Sequence, residues 1–128
     1  MNCLERAIRP ALVDDKLPCA QAFAVAVEQR VAPMKIGEEA TRLGIRISRC
    51  QLGLFGYEEQ GEKRVVQPTA SVSTSLREAI QARLVEGRLP CRAAWEIAEE
   101  HDLPKLQVAN TVEGLKLRIS ACQLGCFT

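Results

Sequence analysis

The stretch Val25-Ala26-Val27-Glu28-Gln29-Arg30-Val31-Ala32-Pro33-Met34-Lys35-Ile36 decides the fold. Ala26 is a small residue placed where two helices must cross closely. Val31 is an apolar plug for a tight turn, and Ile36 anchors the helix that follows. Two helices crossing steeply over a short turn need a small contact residue and an apolar turn. The same pattern returns 72 residues later as Ile97-Ala98, Leu103 and Val108.

That return belongs to a longer one. Residues 4–56 and 76–128 align without a gap, and 20 of the 53 pairs are identical, against roughly 3 or 4 expected from average composition. Leu17-Pro18-Cys19 falls on Leu89-Pro90-Cys91, and Cys50-Gln51-Leu52-Gly53 falls on Cys122-Gln123-Leu124-Gly125. Two copies of this length are not a solenoid. They read as a tandem pair of small domains related by a pseudo-two-fold axis: 1–56, a linker with a candidate wing strand over 57–75, and 76–128. A 53-residue unit lies near the lower limit for an independent core. The copies are therefore expected to pack on each other or on a second chain, as in a homodimer.

Outward from the central turn, the first helix of each copy shows an amphipathic stripe. Leu4, Ala7, Ile8, Ala11 and Leu12 form it in copy one, and Leu76, Ala79, Ile80 and Leu84 in copy two. Asp14-Asp15 and Glu86-Gly87 end these helices. Pro18 and Pro90 suit the first turn of helix two. Its buried stripe is Cys19, Ala22, Phe23 and Ala26, matched by Cys91, Ala94, Trp95 and Ala98. Helix three is expected over 34–43 and 106–115. Ile45-Arg46-Ile47-Ser48 and Leu117-Arg118-Ile119-Ser120 alternate as short strands. The phase breaks at Arg49, and Cys50–Gly53 reads as a bulge, a turn or a new segment. Arg64-Val65-Val66-Gln67 is a candidate partner strand for 45–48. The fold class is mainly α with short β, as two repeated three-helix units.

Helix, helix, tight turn, helix, strand is the order of a winged helix-turn-helix domain, and about 50 residues of each copy resemble the bacterial winged-helix regulators at this level. One departure is that such turns often carry Gly, where this chain has Arg30 and Asp102. The resemblance implies double-stranded DNA as partner, helix three in the major groove and the strand region on the backbone. It implies DNA-contacting roles for Lys35, Thr41 and Arg42 in copy one, and for Lys105, Gln107, Asn110 and Lys116 in copy two. Asn and Gln suit adenine edges and lysines suit phosphates. Arg46 and Arg118 hold equivalent outward strand positions as phosphate contacts. Against this, Glu38 and Glu39 would repel phosphate, and these charges also fit a solvated helix face.

Net charge is +1, so no bulk pull on nucleic acid or membrane is implied. No stretch approaches the ~18 apolar residues of a membrane span, and the N-terminus has no signal-peptide pattern. The expectation is a cytoplasmic protein with no membrane partner and reduced thiols. Six cysteines raise a thiol or metal sensor as an alternative. Against it, there is no Cys-x-x-Cys, the single histidine is His101, and Cys19 and Cys91 lie on a buried stripe. No nucleophile–base set and no glycine-rich phosphate loop is visible, so neither an enzyme nor a cofactor is expected. Phe23 and Trp95 read as core anchors. A chain of five aromatics does not suit single-strand stacking. The leading expectation is a non-enzymatic transcriptional regulator. The alternative is a protein-interaction or assembly module on the same fold.

Overall fold

The computed structural model of the chain describes residues 2–57 and 64–128. It is mainly helical with a few short strands. The element order is α1 (Cys3–Ile8), a 3-10 turn (Arg9–Ala11), β1 (Leu17–Pro18), α2 (Cys19–Gln29), α3 (Pro33–Arg42) and β2 (Ile47–Ser48). Then come α4 (Thr74–Ala82), β3 (Arg88–Pro90), α5 (Cys91–Glu100), α6 (Lys105–Gly114) and β4 (Arg118–Ser120). Backbone contacts divide the chain into two compact units. One comprises Met1–Arg64 with Gln123–Cys126, the other Val65–Cys122 with Phe127–Thr128.

Pro10 explains why the first helix is cut short. It has no N–H to give the helix ladder, and after Ile8 the chain tightens into the 3-10 turn. Ala82 stands in its place in α4, which runs on to that residue. Ser73 caps α4 by accepting the Leu76 N–H at 3.3 Å, and Asn2 caps α1 through the Glu5 N–H at 2.8 Å.

Pro18 and Pro90 do not sit inside helix two. Each is the extended residue that precedes it, so α2 and α5 begin at Cys19 and Cys91. The expected strand partner is also different. Ile47–Ser48 pairs in parallel with Leu17–Pro18, and Arg118–Ser120 with Arg88–Pro90. Arg64–Gln67 is not a strand. Its Val66 is buried, and the Gln67 N–H goes to a helix side chain instead. Ile45 and Leu117 lie outside the strands because they close the preceding helices, donating to the Ala40 and Val112 carbonyls at 2.8 and 3.0 Å.

The turn expected at Asp14-Asp15 and Glu86-Gly87 is a two-residue hairpin connection with both central residues at positive φ, the conformation that matches strand twist. Left-handed residues recur at the 72-residue spacing throughout: 14 and 86, 15 and 87, 30 and 102, 44 and 116, 49 and 121, 53 and 125. Arg49 and Ala121 explain the phase break after each strand. From there the chain folds back, with Cys50 N–H on the Phe55 carbonyl and Cys122 N–H on the Phe127 carbonyl, both at 3.1 Å.

The core of each unit uses equivalent positions. Ile8, Leu17, Ala22, Ala26 and Ile36, and likewise Ile80, Leu89, Ala94, Ala98 and Val108, are at most 3% exposed. Phe23 and Trp95 differ from expectation, for both are only half-buried. No helix among the described residues is long and apolar enough to cross a membrane.

Candidate functional site

The ends of α2, α3, α5 and α6 are built by one backbone device used four times. Arg30 takes a left-handed conformation at φ 57°, and the Val31 N–H then reaches back to the Ala26 carbonyl at 3.0 Å. Asp102 at φ 53° does the same for Leu103 and Ala98. Gly44 and Lys116 end α3 and α6 alike. This is the Schellman closure, and its apolar contact falls between the residue after the turn and the last helical turn. The turn that usually takes glycine thus keeps its shape with Arg30 and Asp102 in place.

From these turns the sequence-predicted site residues project unequally. Lys35 and Gln107 lie on the first turns of α3 and α6 and are exposed. Arg46, Lys116 and Arg118 are exposed as well. None of these five has a side-chain partner among the described residues. Lys116 also carries the left-handed φ of 61° that ends α6.

The remaining four are committed. The Thr41 hydroxyl donates to the Gly37 carbonyl at 3.0 Å. Arg42 pairs with Glu39 and stands 3.9 Å from Glu5. Glu39 also accepts from the Asn2 amide at 3.1 Å. Hydrogen bonds from Arg42 and then Asn2 hold the Glu39 carboxyl below its usual range, and the Glu39 contact raises Arg42. Glu39, expected to repel phosphate, is thereby neutralised by its neighbour. The Lys105 ammonium lies 4.6 Å from the centre of the Trp95 ring, a cation–π contact. Asn110 accepts the Gln67 N–H on its Oδ1 at 2.8 Å and the Thr69 N–H on its carbonyl at 3.0 Å.

Two glycines that sequence reasoning passed over explain what else the third helices do. A Cβ on Gly37 would overlap the backbone of Leu124, and one on Gly114 would overlap Thr69. α3 therefore carries the turn at Leu124 against it, and α6 the backbone at Thr69. On α3 that turn leaves an open cleft of about 220 Å³, lined by Met34, Gly37, Glu38, Thr41, Leu124 and Gly125. The available signal was glycine inside a helical pattern, which costs ~1 kcal/mol against alanine and so usually has a packing reason.

The repeated cysteines are placed in pairs. Cys19 and Cys91 open α2 and α5, and Cys50 and Cys122 follow β2 and β4; all four are buried. Gln51 Nε2 donates to Cys19 Sγ at 3.6 Å. The Tyr57 hydroxyl donates to the Cys50 carbonyl at 2.6 Å. Cys3 and Cys126 are exposed. Among the described residues no three His, Cys, Asp or Glu side chains converge as metal ligands would. His101 caps the end of α5. No family model matches this chain, and no curated protein or solved structure does so.

Proposed function

We propose that this chain is a non-enzymatic, cytoplasmic DNA-binding protein of the bacterial regulator type, with two winged-helix-like units in tandem. The supporting observation is the recurrence of one helix–turn–helix closure at Arg30 and at Asp102, each followed by a helix whose first turn exposes Lys35 or Gln107. The first turn is the part of a recognition helix that reaches base edges. In this reading Gln107 and Lys35 approach bases, and Arg46, Lys116 and Arg118 rest on phosphates. Asn110 holds the 67–69 segment and reads no base.

A mobility-shift titration of the whole chain with random-sequence duplex tests this. Binding is expected at about 50 mM salt and should be strongly weakened by about 200 mM. Gln107→Ala should cost about 1–3 kcal/mol at one preferred base pair only. Failure of the wild-type protein to shift duplex at low salt ends this reading.

A second reading has its own support. Leu124 against Gly37 and Thr69 against Gly114 put non-helical backbone on the third helices, so these helices can pack other chain segments, as an interaction or assembly module would. It forecasts no duplex binding, and loss of a protein partner when exposed residues of α3 or α6 are changed.

A further inference from the structure

The two copies differ most in their charges, and that difference singles out one place. Residues 4–56 carry eight cations: Arg6, Arg9, Lys16, Arg30, Lys35, Arg42, Arg46 and Arg49. In copy two their positions hold Glu78, Gln81, Arg88, Asp102, Gln107, Gly114, Arg118 and Ala121. Only positions 16 and 46 keep a cation in both copies. The fold makes these two positions neighbours. Arg88 and Arg118 are directly in register across the parallel β3–β4 pair. In copy one the Leu17 N–H donates to the Arg46 carbonyl at 2.8 Å, which sets Lys16 beside Arg46.

Like charges placed opposite each other on adjacent strands destabilise a sheet. Arg46, Arg88 and Arg118 are exposed, and none of them has a carboxylate partner among the described residues. Glu86, in the turn two residues before Arg88, forms no ion pair with either arginine. Copy two thus keeps an unfavourable charge pair, at the two positions where both copies hold a cation while every other cation is replaced. A bound anion removes the repulsion, and guanidinium groups suit phosphate oxygens through paired N–H donors.

We propose that Lys16 with Arg46, and Arg88 with Arg118, form two equivalent clamps that each bind one phosphate group. If the chain binds DNA as read above, the clamps take backbone phosphates; Lys16 and Arg88 then join Arg46 and Arg118 as contacts that carry no base preference.

The test uses the full chain and the double variants K16Q/R46Q and R88Q/R118Q. Arg6→Gln and Arg77→Gln serve as controls, since both are exposed cations that the other copy does not keep. Two ligands are titrated: random duplex over a range of salt, and inorganic pyrophosphate followed by phosphorus NMR. Each clamp variant should lower the log–log salt slope by about 1 relative to wild type, while the controls leave it unchanged. Because repulsion is relieved, R88Q/R118Q should melt no lower than wild type. Duplex binding with slopes equal to the controls overturns the clamps and leaves the DNA reading standing. No duplex binding, with pyrophosphate binding lost in both clamp variants, keeps the clamps and removes the DNA reading. Binding of neither ligand removes both.

Discussion

The Oδ1 of Asn110 accepts the backbone N–H of Gln67 at 2.8 Å, and the Asn110 carbonyl accepts the Thr69 N–H at 3.0 Å. One residue of α6 therefore holds both ends of the short 67–69 segment. Val66, at the edge of that segment, is 6% exposed.

Asn110→Ala removes one of these bonds and leaves the Gln67 N–H to solvent. The expected cost is about 1 kcal/mol in chemical denaturation, with faster hydrogen exchange at the Gln67 amide. Asn110→Asp retains an acceptor and should keep most of the protection. Equal exchange in wild type and Asn110→Ala would show that the segment is held by something else.

Gly37→Ala separates two physical effects of opposite sign. An α-helix gains up to about 1 kcal/mol from Gly to Ala when nothing touches the site. Here the new methyl meets the Leu124 backbone, and overpacking of this kind costs about 1–3 kcal/mol. A lowered midpoint of unfolding is expected. A raised midpoint would mean that the Leu124 turn does not rest on α3 in solution.

Arg30, Asp102 and Lys116 hold left-handed conformations that cost L-residues roughly 1–2 kcal/mol. Glycine takes them without that strain but loses more chain entropy on folding. Each change to glycine should raise stability by about 0.5–1 kcal/mol, and Gly44→Lys should lower it by a similar amount. Thermal melts of the four variants decide this. A loss on Lys116→Gly would contradict the αL closure of α6.

Tyr57 is the single tyrosine of the chain, so the phenolate absorbance band reports it alone. Burial first, then the nearby Cys50 and Cys19 thiols, raise its hydroxyl above the ordinary tyrosine value. The titration midpoint in the folded protein should lie above about 10. The sign for stability follows from linkage: the contribution is full below the unfolded-state value and is lost as pH rises through the folded one. Tyr57→Phe should flatten that alkaline loss and leave the Cys50 carbonyl without this donor.

Much of the secondary structure was legible in the chain because its causes are local. The 3.6-residue spacing of Ala22 and Ala26, or of Ala94 and Ala98, marks the buried side of a helix within a few residues. The expected bounds of helix three fall one residue later than those observed, 33–42 and 105–114. Val31 and Leu103 announced the turns, and Ile36 and Val108 are fully buried as their pattern implied. The exposure of Lys35, Gln107, Arg46 and Arg118 was likewise readable from their phase.

By itself, then, the sequence determined the helices and their turns, since hydrophobic period and turn chemistry act over a few residues. Tertiary structure alone decided which backbone groups meet. It chose Leu17–Pro18 over 64–67 as the strand partner, because the pairing satisfies the Leu17 N–H at the start of α2. It seated Leu124 on Gly37 and Gln67 on Asn110, which turned a base-reading candidate into a structural bond. It also brought position 16 beside 46, and 88 beside 118. Each of these choices depends on hydrogen bonds and close approach between distant residues, and no local period encodes them.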